Sequence, residues 1–275
     1  MLGTQRGKDL HSVIAANDPT GGLLVILFFL IVAGISVAVF LWEKKRRDAL
    51  IALARERGLR FYKNDPFDLP STYGATQLCN KGHSKRASNV IAGRVGDGEV
   101  RYFDYKYTVG SGKNSHTYNR SACAFHAPYC FTRLFVRPEN LLDKAAGMLG
   151  FEDIDLDYAE FNSKYYVSCE DKKFAYDVLH QRAMEFFVSR PGITMEMTWN
   201  FILMNYDGRL SPDEIGRLIS DAEAFCDMLP NYLKQDRRIS SAADQAAPHI
   251  GSTAAERGKA SFLDGIVPSR RRPQE

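Results

Sequence analysis

The sequence predicts an α+β protein: an N-terminal transmembrane helix followed by an antiparallel-sheet domain with helices packed on one side. Three observations carry this. Residues 23–42, LLVILFFLIVAGISVAVFLW, contain no charged residue. Two later stretches, 99–109 and 193–203, alternate with the period of two that marks a strand. Ser211-Pro212-Asp213-Glu214 then opens a run with apolar residues at helical spacing: Ile215, Leu218, Ile219, Ala222 and Phe225.

The apolar run comes first. At about 1.5 Å of rise per residue it spans roughly 30 Å, the thickness of a bilayer's hydrocarbon core. A secretory signal has an apolar core of about 7–15 residues and a small-residue cleavage site. This run is longer and ends Trp42-Glu43-Lys44-Lys45-Arg46-Arg47. No face of it is polar, which argues against a core helix of a soluble protein. It is expected to be an uncleaved single-pass anchor in the cell membrane, with the lipid bilayer as its partner. Lys44, Lys45, Arg46 and Arg47 flank its C-terminal end, against only Arg6 and Lys8 on the other side. That asymmetry predicts the N-terminus outside and the following domain in the cytoplasm. Trp42 stands where an interfacial aromatic anchor belongs. The four basic residues can also meet anionic lipid headgroups, although setting topology is role enough.

Each further segment follows from composition. Residues 1–22 lack periodicity and are expected to be a disordered arm. Residues 43–58 continue the helix through EKKRRDALIALARER to Gly58, as a juxtamembrane stalk. Residues 59–235 form the cytoplasmic domain, long enough for one sizeable core. Residues 236–275, rich in Ala, Ser, Gln, Pro and Arg, are expected to be a disordered tail. The net charge of +3 over 275 residues is too slight to point to nucleic acid. The five cysteines are odd in number and irregular in spacing, so a cytoplasmic domain would keep them as free thiols.

Within the domain, strands are expected at 87–95, 99–109, 115–126, 131–137, 165–167 and 193–203. Gly96-Asp97-Gly98 and the tip at 110–114 turn the first three into a meander. Pro138 and Glu139 open a helix to about residue 147. Asp171 caps a helix expected to run on toward Val188, with His180 at a helix end beside its dipole. In 193–203 one face is expected to be core and the other mostly wet.

Four constellations resemble chemical sites. Gly110-Ser111-Gly112-Lys113-Asn114 resembles a phosphate loop, but Tyr107 and Asn114 stand where Gly and Ser or Thr are required, and no helix follows. Residues 205–214 place Asn205, Asp207, Gly208, Ser211 and Glu214 in a calcium-loop frame, yet its first position is Leu203 and a strand precedes it. Cys79, His83, Cys123, His126 and Cys130 match no zinc spacing. The acids of 152–160 (Glu152, Asp153, Asp155, Asp157, Glu160) suit a solvated loop better than a cation site. No metal, cofactor or catalytic residue is assigned.

Several blocks resemble a set of uncharacterised bacterial proteins: Asp153-Ile154-Asp155, Glu160-Phe161-Asn162, Tyr165-Tyr166-Val167, Asp171 and Phe174-Ala175-Tyr176-Asp177-Val178, with Phe103-Asp104-Tyr105 and Arg137-Pro138-Glu139 upstream. Those proteins carry one membrane helix before a domain of unknown function. The resemblance covers roughly residues 43–233. It implies a bacterial inner-membrane setting and transfers no active-site residue.

The function expected from all this is a membrane-tethered binding or scaffolding module with an unidentified protein partner. A small-ligand sensor is the alternative, with Phe103, Tyr105, Tyr107 and Trp199 as a ligand face. A metal-dependent enzyme using the 152–160 acids ranks behind both.

Overall fold

The structure, a computed structural model, describes residues 19–139 and 154–238. The arm up to residue 18, the helix expected beyond Glu139 and the tail beyond Arg238 lie outside the described residues. The chain divides into two units between Asp48 and Ala49.

The first unit contains most of helix α1 (Pro19–Glu56). Its large apolar side chains from Leu24 to Trp42 are 42–67% exposed. The most apolar window of Ile26–Glu56 has a mean hydropathy of 2.4 and is 0% buried. This helix is long and apolar enough to cross a membrane, and it points to membrane anchoring.

The second unit is an antiparallel sheet with its longer helices on one side. The strands are β1 (Arg60–Asn64), β2 (His83–Val95), β3 (Gly98–Val109), β4 (His116–Pro138), β5 (Tyr165–Cys169) and β6 (Thr194–Asp207). The order is β1-β2-β3-β4-β5, with β6 on β4. β4 is the spine. Its first half lies between β3 and β6, and its second half between β5 and β6.

Two expectations about the strands change here. The two strands expected at 115–126 and 131–137 are one strand. Pro128 lacks an N–H and falls where the register shifts between His126 and Phe131, so the ladder skips and resumes instead of ending. β1 carries no alternation and is an additional strand, formed by its pairing with β2.

The helices are α2 (Leu69–Thr72), α3 (Gln77–Asn80), α4 (Ala159–Lys164), α5 (Lys172–Val178), α6 (Gln181–Val188), α7 (Pro212–Met228) and α8 (Asn231–Asp236). The expected capping box starts α7: Ser211 Oγ accepts from the Glu214 amide, and the Glu214 carboxylate accepts from the Ser211 amide at 2.8 Å. The helix expected from Asp171 to Val188 is broken. α5 and α6 meet at Leu179-His180, and His180 is the N-cap residue of α6, its Nε2 3.2 Å from the Met228 carbonyl.

The stalk expected from 43–58 also changes. The second unit begins at Ala49, and Leu50 and Ala54 are 0% and 2% exposed within its main core. The reason is spacing: Leu50 and Ala54 lie four apart on one helix face and close over the sheet. Leu53 packs by Gly216 of α7, and Arg57 Nη1 donates to Ser220 Oγ at 2.9 Å. The helix ends at Glu56, and Gly58 takes a positive φ of +68° just beyond it.

Both sheet faces are buried. The main core joins Val100, Tyr102, Cys123 and Phe125 to α1 and α4–α8. The other face carries Phe103, Tyr105, Tyr107, Ala122, Ala124, Phe201 and Leu203, closed by Leu69, Tyr73, Leu78 and Cys79. The polar face expected to be wet in 193–203 is therefore partly covered: Glu196, only 2% exposed, and Thr198 are buried and Thr194 is half-buried, while Asn200 stays exposed.

In β6 the alternation also changes phase. Met195 and Met197 face the main core, and so do Ile202 and Met204. The switch falls at Trp199, whose φ of +52° is left-handed, opposite the β4 register shifts at Phe131. A bulky residue there is a strained position.

Burial of α1's last turns has a direct consequence. Leu50→Ala in the full chain is expected to destabilise the folded unit by about 2–5 kcal/mol, as a core truncation does. Ile51→Ala, on the exposed side, should cost less than about 1 kcal/mol. Equal, small effects in chemical denaturation would mean that the stalk reading was right.

Candidate functional site

The residues proposed as a ligand face come to two different places. Phe103, Tyr105 and Tyr107 are 0%, 1% and 5% exposed, while Trp199 is 41% exposed. The first three are covered by the chain itself. Tyr73 stacks on Phe103, with ring centroids 5.8 Å apart and planes at 8°, and meets Phe201 edge-on at 5.0 Å. Tyr105 stacks on Tyr107 at 5.6 Å, and Tyr107 on Tyr118 at 5.3 Å. These are packed core aromatics. Trp199 is turned outward by its left-handed backbone, away from that ladder.

The segment that closes this face is held by polar bonds. Asp65 caps the turn before α2, accepting from the Phe67 and Leu69 amides at 2.9 and 2.7 Å. Thr76 Oγ1 accepts from the Cys79 amide and donates to the Tyr73 carbonyl. The first amide of α3, Gln77 N, donates to Glu196 Oε2 at 2.7 Å. Arg133 Nη2 donates to Glu196 Oε1 at 2.8 Å and to the Ala75 carbonyl at 3.2 Å. Burial pushes the Glu196 carboxyl above its usual range, opposed by the Gln77 amide and the Arg133 guanidinium.

Tyr73 and His126 form the second polar feature. The hydroxyl lies 2.7 Å from His126 Nε2. Burial lowers the histidine to about 3, with help from the nearby Arg101 charge, against a hydrogen bond that the ring donates to Asn200. Burial raises the Tyr73 hydroxyl well above its ordinary range. At neutral pH this is a neutral pair, poised for neither proton abstraction nor donation. The Tyr105 hydroxyl is buried beside the Cys79 thiol, which burial raises to about 11. An inert thiol, rather than a nucleophile, is what such surroundings produce.

The weighed constellations also separate. Cys79 packs in one core and Cys123 in the other, on opposite sheet faces. His83 sits at the hairpin tip with Nε2 2.8 Å from the Gly110 carbonyl. All five cysteines are free thiols, and only Cys130 is exposed. Among the described residues no group of three His, Cys, Asp or Glu could hold a metal ion. Glu152 and Asp153 lie outside the described residues; Asp155 and Asp157 are exposed, and Glu160 pairs with Lys164 at 2.7 Å. The calcium frame fails because β6 runs to Asp207. An open cleft of about 460 Å³ lies between the 64–70 segment and β2, lined by Asp65, Asp68, Lys85 and Arg86 among others.

Sequence reasoning weighed His126 only as a zinc ligand and assigned Glu196 to a wet face. The Glu196–Arg133 bond and the Tyr73–His126 pair leave no local signal, since the partners are far apart in sequence. Trp42, 57% exposed, closes the apolar stretch of α1, and the membrane-flank residues Lys44, Lys45, Arg46 and Arg47 follow it on the same helix.

No family model matches the chain. No curated protein matches it either. Among solved structures it is similar to that of the mycobacterial trehalose monomycolate transport factor A, with 14% identity and a TM-score of 0.45, over 68% of this chain and 95% of that one. Identity and superposition this low carry no inference.

Two outcomes are expected. A histidine lowered to about 3 binds fewer protons folded than unfolded between its ordinary pKa and that value. Its contribution is complete above about pH 6.5 and is lost as pH falls. Wild-type stability should therefore drop between about pH 6 and pH 5 by up to about 1.4 kcal/mol more than that of His126→Gln, measured by denaturant titration. Separately, Glu196→Ala strands Arg133 and the Gln77 amide, and should cost roughly 2–4 kcal/mol in the same assay.

Proposed function

We propose that the chain is a single-pass membrane protein with its N-terminus outside and its α+β unit in the cytoplasm, working as a membrane-tethered binding or scaffolding module. The observation that carries the tether is the exposed apolar length of α1, with large side chains 42–67% exposed from Leu24 to Trp42. Surface of that kind is incompatible with water over such a length and compatible with lipid. Lys44, Lys45, Arg46 and Arg47 on its C-terminal side support the orientation, as does Trp42 at the expected interface.

The binding reading is supported by where chemistry does not converge. Among the described residues, burial holds His126, Tyr73 and Cys79 neutral, Glu196 is paired with Arg133, and Asp104 accepts from Tyr102 and Asn89. What the unit offers is surface. Trp199, turned outward at a strained position, and Tyr232, 50% exposed, are the anchors a protein partner would use.

Cys130 supplies the test, because it is the exposed thiol of the second unit. In bacterial membranes the full chain should resist alkaline carbonate extraction. A membrane-impermeant maleimide should label Cys130 in inside-out vesicles and leave it unlabelled in intact spheroplasts. Extraction by carbonate would overturn the tether; labelling in spheroplasts would overturn the orientation.

A further inference from the structure

The end of the sheet formed by the β3–β4 hairpin is unusually one-sided in charge. Residues 69–96 and 105–138 contain no Asp or Glu. One part of each range meets at this end, since His83 of β2 pairs with Thr108, and Lys106, Thr108 and Val109 of β3 pair with Asn119, Thr117 and His116 of β4. Lys81, Lys106 and Lys113 are exposed here. Of the acids nearby, Glu214 is held in the capping box of α7 and Asp213 lies beside it in the first turn of that helix. Asp207 pairs with Arg120, and Asp65 and Asp68 share their cleft with Lys85 and Arg86. Lys81 does feel Glu196, but that carboxylate is buried and bound by Arg133. Among the described residues no ion pair engages the three lysines.

The same tip exposes apolar surface. Val109 and Tyr118 are each 42% exposed. The tip is also rigid. Tyr118 is braced by its stack on Tyr107, and His83 holds the Gly110 carbonyl. Gly110 has a φ of +84°, and a Cβ there would collide with the Asn114 carbonyl. A braced loop loses little freedom when it binds.

The position of the tip completes the argument. α7 starts at this end of the sheet, where Gly208 N donates to the Asn119 carbonyl and Leu210 N to Ser121 Oγ. It finishes toward the β2–β3 turn, where Glu223 approaches Gly96. Leu53 lies beside Gly216 and Arg57 beside Ser220, so residues 49–56 run in the same direction as α7. The chain therefore enters the second unit from the end that carries the tip. Only residues 43–48 separate Trp42 from Ala49, and even a fully extended chain spans that gap in at most about 25 Å. The hairpin itself runs roughly 17 Å beyond the level of Ser121.

We propose that the β3–β4 hairpin tip is a second membrane contact, in which Lys81, Lys106 and Lys113 seat the folded unit on an anionic bilayer surface and Val109 and Tyr118 enter the headgroup layer. This rests on the tethered reading above. It differs from the basic run beside the apolar helix, because it fixes how the folded unit is presented. Cations near an anionic surface and aromatics at headgroup depth are the two features such a contact combines.

The test uses the full chain in nanodiscs of neutral lipid, with or without phosphatidylglycerol. Ser111→Cys in a Cys130→Ser background carries a bimane probe at the tip, and headgroup-depth doxyl lipid is the quencher. Quenching is expected with phosphatidylglycerol, little of it in neutral lipid, and release at high salt. Lys81→Gln, Lys106→Gln and Lys113→Gln together should lower the bound-to-free ratio of the tip roughly 100-fold, at about fivefold per lysine. Val109→Ser with Tyr118→Ser keeps the charges and should lose most of the quenching, with an unchanged far-ultraviolet circular dichroism spectrum and denaturant midpoint as the control for folding. An embedded chain whose tip is unquenched, or equally quenched in both lipids, overturns this inference alone. Protection of the probe by single-stranded RNA but not by phosphatidylglycerol also overturns it. A chain that fails to stay in the nanodisc overturns the tether instead.

Discussion

One buried carboxylate fixes the second layer of this protein to its sheet. Glu196 is 2% exposed, in a place where an unpaired charge would be prohibitive. It is tolerated because Arg133 neutralises it and the first amide of α3 bonds to it. That bond sets where α3 begins, and so where Thr76, Leu78 and Cys79 lie. Tyr73 is then placed flat against Phe103 and edge-on to Phe201. A face rich in aromatic rings thus becomes a second core instead of a pocket wall. The neutral Tyr73–His126 pair at its margin follows from the same closure, since the water that would charge the histidine is gone.

Much of the fold was legible in the sequence, and the exceptions have physical reasons. The apolar helix, the meander turns, the α7 capping box and the Asp171 cap are local signals, written in neighbouring residues. What escaped was non-local. β1 is a short edge strand whose residues acquire a face only by pairing with β2. The continuity of β4 through Pro128 depends on β6 tolerating a register shift. The phase change at Trp199 cannot be seen in an alternation that runs unbroken on paper, because a left-handed residue reverses the faces without altering the sequence pattern. Glu196 looked wet for the same reason that any Glu does: its cover comes from residues more than a hundred positions away.

The candidate sites were less legible than the fold. A helix long and apolar enough to cross a membrane is a property of composition and needs no tertiary contact, so it was legible at once. The ligand face was chosen from a strand pattern that marks core and pocket wall alike. Only the position of Tyr73 separates the two, and nothing near Phe103 announces it. The function proposed above uses the outside of the second unit, the outward Trp199 and the basic hairpin tip.

The most direct measurement of this account is native-state hydrogen exchange on the full chain, read at the Tyr73, Thr76 and Asn80 amides, which bond to Leu69, Tyr73 and Thr76 carbonyls. If the second layer is core, they exchange as slowly as the β3 and β4 amides beneath them. If they exchange quickly while β3 and β4 stay protected, the layer opens, Phe103, Tyr105 and Tyr107 become accessible, and the sheet is a ligand-binding face after all.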